Sequence, residues 1–124
     1  MPRVLIADDE RSLRLLIRTT LETAGFEVTV AVDGQEAIDL IRKQVPDLLV
    51  LDWMMPGKTG IEVVAEIRQT AEFAHLPVIL LTARGQARDM EAARIVGTDV
   101  YLTKPFRPRD LVQAVTQSLA GVAQ

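Results

Sequence analysis

The chain has 124 residues, a formal net charge of −3 at pH 7 and no cysteine, and 48% of its residues are hydrophobic. This length suits one domain with its own core, and the missing cysteines exclude disulfides and thiolate metal sites. The acidic balance gives no argument for nucleic-acid binding, and no apolar run approaches the roughly 20 residues of a membrane helix. The N-terminal apolar run is too short for a signal peptide, so a soluble cytoplasmic domain is the default expectation.

Short apolar runs alternate along the chain with longer amphipathic stretches, a pattern typical of repeated strand and helix pairs. The first run, residues 4–7, predicts a buried strand. A helix is predicted to follow and to end near Gly25, because glycine readily takes the left-handed conformation found after helices. The apolar side of this helix would consist of Leu13, Leu16, Ile17, Leu21 and Ala24.

The second and third strands are predicted at residues 26–31 and 48–51, with one helix between them. Asp33 and Glu36 have the spacing of a helix-capping box, and Pro46 marks the end of that helix. Its apolar face would consist of Ala37, Ile38, Ile41 and Val45.

The third helix is predicted to begin at a second capping pattern, Thr59 with Glu62, after a turn at residues 55–57. Pro77 opens the fourth predicted strand, and a fourth helix is predicted to end at Gly97. The apolar positions are Ile61, Val64, Ala65 and Ile67 in the third helix and Met90, Ala93 and Val96 in the fourth.

A fifth strand is predicted at residues 100–102, and Pro108 suits the first turn of a last helix. The apolar face of that helix would consist of Leu111, Val112, Val115 and Leu119. Strands this apolar need cover on both faces, so five such units predict an α/β fold, a doubly wound three-layer sandwich. The order 2-1-3-4-5, as in flavodoxin-like proteins, is the common arrangement of five parallel strands with right-handed crossovers.

Charged residues stand where three of the predicted strands end. Asp8 and Asp9 follow the first strand, Asp52 the third and Lys104 the fifth. Because the carboxyl ends of parallel strands meet at one sheet edge, these groups are expected to converge. Crowded carboxylates repel one another unless a cation binds, so the pattern predicts a divalent hard cation and an anionic group held by the lysine.

Four motifs in this order resemble the receiver (CheY-like) domain of bacterial two-component response regulators, and the resemblance spans residues 1–124. They are Asp8-Asp9, Asp52-x-x-Met55-Pro56-x-x-x-Gly60, Thr82-Ala83 and Lys104-Pro105-Phe106. Each motif follows a predicted strand. The resemblance implies a phosphoacceptor signalling protein, which is not an enzyme in its own right but assists its own phosphorylation and dephosphorylation.

The resemblance also assigns roles to residues. Asp52 would accept a phosphoryl group from the phosphohistidine of a sensor histidine kinase or phosphotransfer protein. Mg²⁺ would be held by Asp8, Asp9, Asp52 and the backbone carbonyl of Met54. The phosphoryl group would contact Thr82, Ala83 and Lys104, and the Lys104-Pro105 peptide would be cis.

A conformational switch and a timing role follow from the same resemblance. Thr82 and Tyr101 would respond to the phosphoryl group and change the face of helix 4, strand 5 and helix 5, which controls a partner or output domain. Met54 and Arg84 would tune the phosphoryl lifetime, and their bulk predicts a slow reset. No direct nucleic-acid or membrane contact is expected, and a homodimer, like the presence of further domains, is left open.

Several alternatives compete with these roles. Acidic residues before a helix favour its positive end without binding a metal, and a single Asp after a strand is more often a turn cap than a nucleophile. A phosphatase of the haloacid dehalogenase type would need an acid where Met54 stands, and an FMN carrier would need a phosphate loop in place of Asp8-Asp9. A receiver-like interaction module that works without phosphorylation remains the main alternative.

Overall fold

The computed structural model describes residues 1–83, 94, 97–98 and 100–122, and these contain one five-stranded parallel sheet. The strand order is β2-β1-β3-β4-β5, which confirms the predicted flavodoxin-like fold. The strands are β1 (Arg3–Ala7), β2 (Glu27–Ala31), β3 (Leu48–Asp52), β4 (Val78–Ala83) and β5 (Val100–Lys104).

Four α-helices accompany the sheet in this part of the chain. They are α1 (Arg11–Thr23), α2 (Gly34–Lys43), α3 (Gly60–Arg68) and the C-terminal helix (Pro108–Val122), with a short 3₁₀ turn at Ala71–Phe73. None of the described helices is long and apolar enough to span a bilayer. Arg84 and the fourth predicted helix lie outside the described residues.

The core forms two layers, because alternate residues of each strand point to opposite faces of the sheet. One layer joins the sheet to α2 and α3, and the other joins it to α1 and the C-terminal helix. The strand residues of the first layer include Leu5, Leu49, Leu51 and Leu80, and those of the second include Val4, Ile6, Val50, Ile79 and Leu81. Both faces of the sheet are therefore covered, as the continuous apolar runs predicted.

The starts of α2 and α3 follow from the capping patterns in the sequence. The Thr59 hydroxyl accepts from the Glu62 N–H at 3.2 Å, and the Glu62 carboxylate accepts from the Thr59 N–H at 3.0 Å, which completes a capping box. At α2 the Asp33 carboxylate accepts from the Glu36 N–H at 2.8 Å, but the Glu36 carboxylate accepts from the Val32 N–H instead. Asp33 is therefore the N-cap of α2, as predicted, and only the return bond of Glu36 differs from a capping box.

Several details of the predicted helix faces are wrong. In α1, Leu16 is 47% exposed, and Ala24 is exposed at the C-cap beyond the helix. Val45 lies beyond the end of α2 and is 38% exposed, because Pro46 disfavours a helical backbone at the residue before it. In α3, Val63 is fully buried although the sequence interpretation omitted it, and Ala65 is only partly buried. The face of α3 against the sheet is thus centred closer to Val63 than its apolar spacing indicated.

Arg68 ties the end of α3 to two other segments of the chain. Its guanidinium donates to the carbonyl oxygens of Phe73, Ala74 and Leu76 at 2.7–3.3 Å. It also donates twice to the carbonyl oxygen of Gly97, which precedes β5, at 2.9 and 3.1 Å. One half-buried side chain therefore donates to four backbone carbonyls in segments that lie outside the sheet.

Replacing Arg68 with methionine is expected to lower the free energy of unfolding by about 1 to 2 kcal/mol, because partly buried carbonyls lose their donors while the apolar stem is kept. Urea denaturation monitored by circular dichroism measures the change. Arg42→Met is the matched control, since Arg42 is exposed and pairs only with Glu66 on the surface among the described contacts. Equal losses in the two variants would contradict the role of Arg68.

Candidate functional site

The alternation of side chains along each strand places three charged side chains on the same face of the sheet, at its carboxyl edge. Asp8, Asp52 and Lys104 each stand two residues after a strand residue of the layer that faces α1 and the C-terminal helix. Those preceding residues are Ile6, Val50 and Leu102. β1 and β3 are neighbours, with Ala7 opposite Leu51, so the next residues, Asp8 and Asp52, emerge side by side.

Lys104 reaches this pair from two strands away. Its Nζ lies 2.8 Å from Asp52 Oδ1 and 4.0 Å from Asp8 Oδ2. The Asp52 side chain is 9% exposed and that of Lys104 is 28% exposed, so the ion pair lies at the rim of the core. The Lys104-Pro105 peptide is cis, as the family resemblance implied.

Asp8 is the most strongly perturbed carboxyl group of the site. It is fully buried, and its Oδ1 accepts from the Glu10 N–H at 2.8 Å, whereas its Oδ2 has no hydrogen-bond partner among the described residues. The pKa of Asp8 is raised to about 6, chiefly by burial; the charges of Asp52 and Asp9 also raise it, while the Glu10 N–H and Lys104 lower it. A buried carboxylate oxygen without a hydrogen bond costs free energy, and a bound cation would reduce that cost.

Asp9 completes a three-carboxylate cluster. One carboxylate oxygen from each of Asp8, Asp9 and Asp52 lies within 4.8 Å of the others. Asp9 is exposed, so the cluster is open to solvent on its side. An open group of carboxylate oxygens suits a hard divalent cation that keeps several of its waters.

The segment after Asp52 is held against the end of β3. The Gly60 N–H donates to the Trp53 carbonyl at 2.9 Å, and a Cβ at Gly60 would stand only 2.5 Å from the Asp52 carbonyl oxygen. Trp53 and Met55 are buried, whereas Met54 is 61% exposed. Glycine at position 60 therefore lets the start of α3 approach the backbone of Asp52, and the Met54 side chain projects away from the core.

Thr82 and Tyr101 lie on the opposite face of the sheet from the three charged groups. Thr82 is buried, and Tyr101 is partly buried against the layer that faces α2 and α3. Tyr101 pairs with Leu80, and Thr82 stands two residues after Leu80, so Thr82 and Tyr101 share one side of neighbouring strands. Thr82 lies near the strand ends, since it follows Leu81, which pairs with Asp52, whereas Tyr101 lies near the start of β5, three residues before Lys104.

Arg14 is a contact of the site to which the sequence interpretation gave no role. Its Nη1 donates to the carbonyl oxygen of Asp8 at 2.9 Å, from the first turn of α1. The only signal in the sequence was its position six residues after Asp8, within reach of the strand end for a long side chain. Such a contact depends on the angle between α1 and β1, which spacing alone does not define.

Comparisons with known proteins agree with this architecture. The family model described as "Response regulator receiver domain" matches residues 4–116. The phosphate regulon transcriptional regulatory protein PhoB of Rhizobium meliloti (strain 1021) is 40% identical over 119 residues, which are 96% of this chain and 52% of that protein. The transcriptional regulatory protein CpxR of Escherichia coli (strain K12) is 45% identical over 115 residues, which are 93% of this chain and 48% of that protein.

Solved structures match over nearly the whole chain. The chemotaxis response regulator CheY4 of Vibrio cholerae superposes with a TM-score of 0.90 at 33% identity, covering 95% of this chain and 98% of that one. The Francisella response regulator 1452 receiver domain has a TM-score of 0.90 at 36% identity, covering 98% and 99%. The chain spans about half the length of the curated relatives it matches.

Proposed function

The chain belongs to the response regulator receiver family, and from this premise we propose that it is a phosphorelay switch. In this proposal Asp52 accepts a phosphoryl group from a sensor histidine kinase or a phosphotransfer protein, and residues 1–124 act as one receiver domain. The observation that carries the proposal is the convergence of Asp8, Asp9 and Asp52 with the Lys104 ammonium at one sheet edge.

The residues present fit a magnesium ion as the cation of this site. Asp8, Asp9 and Asp52 would hold it with their carboxylates, and the backbone carbonyl of Met54 would be a further ligand. The Oδ2 atom of Asp8 supports this assignment, since it is a buried acceptor beside two other carboxylates and receives no hydrogen bond from the described residues. When bound, Mg²⁺ supplies charge neutralisation for the carboxylates and for the oxygens of the transferred group.

The protein's own groups have distinct tasks in the transfer. A carboxylate oxygen of Asp52 forms a bond to phosphorus while the phosphorus–nitrogen bond of the donor phosphohistidine breaks, and the imidazole nitrogen keeps the electron pair. The Lys104 ammonium, already 2.8 Å from Asp52, would neutralise charge on the phosphoryl oxygens. The Thr82 hydroxyl and the Ala83 N–H would donate to the same oxygens.

A small electrostatic change at Asp52 would then be transmitted through Thr82 and Tyr101. We propose that the face of the fourth predicted helix, β5 and the C-terminal helix changes and controls an effector or output domain. The curated relatives are transcriptional regulatory proteins of about twice this length, which supports an output domain outside these residues. The domain would act in the cytoplasm as a phosphoacceptor, not as an enzyme in its own right.

Hydrolysis of the acyl phosphate would return the switch to its resting state. Met54, whose side chain is exposed next to the site, and Arg84, which lies outside the described residues, would hinder the attacking water. A slow reset is therefore part of the proposal.

Incubation of the chain with Mg²⁺ and acetyl phosphate tests the function directly. Intact mass spectrometry is expected to show the gain of one phosphoryl group, because the receiver supplies most of the groups that the transfer needs. Chelation by EDTA should prevent the gain, and Asp52→Asn should abolish it. No gain with acetyl phosphate or with phosphorylated phosphodonor proteins would favour the phosphorylation-independent interaction module. An undiminished gain in Asp52→Asn would show that a residue other than Asp52 accepts the phosphoryl group.

A further inference from the structure

The backbone of Asp8 lies just past the end of β1, where the strand ladder no longer holds it on both sides. Its N–H donates to the Ala31 carbonyl of β2 at 3.2 Å, and its Oδ1 accepts from the Glu10 N–H at 2.8 Å. Its carbonyl oxygen accepts from Arg14 Nη1 at 2.9 Å. Within the described contacts, Arg14 is the only side chain that holds the Asp8 backbone.

That carbonyl belongs to the peptide that joins Asp8 to Asp9. The orientation of this peptide sets the direction in which the Asp9 side chain leaves the backbone, and Asp9 is exposed with no packing that would fix it. The α1 N-cap, Glu10, contributes no side-chain capping bond. A bond from Arg14 to this carbonyl therefore restrains both carboxylates of the acidic pair at once.

The positive charge of Arg14 would weaken cation binding in the pocket, whereas its hydrogen bond to the Asp8 carbonyl would strengthen it. A guanidinium close to the pocket would repel a cation, so its removal would strengthen metal binding if charge decided the outcome. The hydrogen bond and the charge therefore affect metal affinity with opposite signs, and Arg14 Nη1 is already engaged with the Asp8 carbonyl at 2.9 Å.

We propose that Arg14 is a positioning residue for the metal pocket, which orients the peptide between Asp8 and Asp9 so that both carboxylates meet one cation. This inference rests on the proposed function, because it assumes that the pocket binds Mg²⁺. Loss of a hydrogen bond that orients metal ligands commonly weakens metal binding about 10- to 100-fold. We expect the lower end here, since Asp52 is held independently by β3 and Lys104.

Three variants of the full chain separate geometry from charge. Arg14→Met removes both the bond and the charge, and Arg14→Lys keeps the charge but loses the planar donor and some of its reach. Arg18→Met is the matched control, since Arg18 lies one turn later on α1, is exposed and pairs with Glu22. Mg²⁺ titrations are monitored by the fluorescence of the buried Trp53 and repeated by calorimetry, and thermal unfolding in EDTA reports whether each variant folds.

Both Arg14 variants are expected to bind Mg²⁺ about 10-fold more weakly, while Arg18→Met stays within about twofold of the wild type. The rate of acetyl phosphate uptake should fall at low Mg²⁺ and recover at saturating Mg²⁺, which a general structural defect would not do. If Arg14→Met does not fold, the Arg14→Lys result decides.

Unchanged affinity in the Arg14 variants, or tighter binding in Arg14→Met with unchanged Arg14→Lys, would overturn the inference and leave the proposed function intact. A wild-type chain that does not respond to Mg²⁺ at all would overturn both.

Discussion

Replacing Lys104 with methionine is expected to slow phosphoryl uptake from acetyl phosphate by about 100-fold at saturating Mg²⁺, the usual effect of removing one group that stabilises transition-state charge. Lys104 Nζ is 2.8 Å from Asp52 Oδ1, and methionine preserves most of the stem without the ammonium. Rates are measured by quenched sampling and intact mass. Uptake within fivefold of the wild type would contradict the assigned role.

Mg²⁺ binding distinguishes this effect from a folding defect. In the absence of metal the Lys104 ammonium is the cation that partly neutralises Asp52 and Asp8. Its removal leaves the carboxylates with less compensation, so Lys104→Met should bind Mg²⁺ at least as tightly as the wild type while it reacts more slowly. Lys58→Met is the control, because Lys58 forms its ion pair with Glu66 instead of Asp52.

Asp8→Asn is expected to stabilise the metal-free protein at pH 7.5 by about 1 to 3 kcal/mol, because it removes the cost of a buried charge. Burial raises the pKa of Asp8 to about 6 from the ordinary value of 3.8, so the unfolded chain loses this proton first as pH rises. The Asn side chain keeps an oxygen to accept from the Glu10 N–H. The lower end of the range applies if water reaches the pocket through its open side.

The sign of the pH dependence follows from the raised pKa. Below the ordinary pKa the Asp8 carboxyl is protonated in both states, and its favourable contribution to folding is complete. That contribution is lost as pH rises through about 6, where the buried group finally ionises. The advantage of Asp8→Asn over the wild type should therefore grow between about pH 4 and pH 6 and stay constant above that range.

Urea denaturation in EDTA at several pH values measures this difference, with Asp39→Asn as a control on the exposed face of α2. Added Mg²⁺ should reverse the order, because it stabilises the wild type and finds a weaker site in Asp8→Asn. An Asp8→Asn protein that is less stable than the wild type at pH 7.5 in EDTA would show that the carboxylate carries no net cost.

The metal-free site is electrostatically unfavourable. The unpartnered Asp8 oxygen and the close carboxylates weaken the metal-free fold, and Lys104 offsets only part of that cost. If the pocket binds Mg²⁺ as proposed, the cation relieves this cost. Stability and reactivity are therefore opposed at Asp8, as is common where a fold carries a reactive site.

Most of the fold was predictable from local patterns. The five apolar runs became strands within one or two residues of their predicted bounds, and the caps at Asp33 and Thr59 begin the helices that they indicated. The error at Val45 has a local cause as well, since the proline that follows it prevents a helical backbone. Burial on both faces was foreseeable for β1, β3 and β4, whose runs have no polar alternation, whereas β2 alternates and leaves Glu27 and Thr29 exposed.

The convergence of the charged residues was a consequence of strand direction alone. Asp8, Asp52 and Lys104 follow parallel strands, and parallel strands bring their carboxyl ends to one edge. The roles of these residues in metal binding and phosphoryl transfer remain predictions that the proposed experiments test.

The amino-acid sequence by itself determined the strand and helix pattern, the edge at which the acidic groups meet and the family resemblance, because each depends on short-range periodicity or on motif order. Only the tertiary structure decided the contacts that depend on angles between elements. Arg14 reaches the Asp8 carbonyl from the first turn of α1, and Arg68 reaches Gly97 across 29 positions of the chain. Long flexible side chains can find many partners, and the packing of the helices on the sheet decides which of them lie within reach.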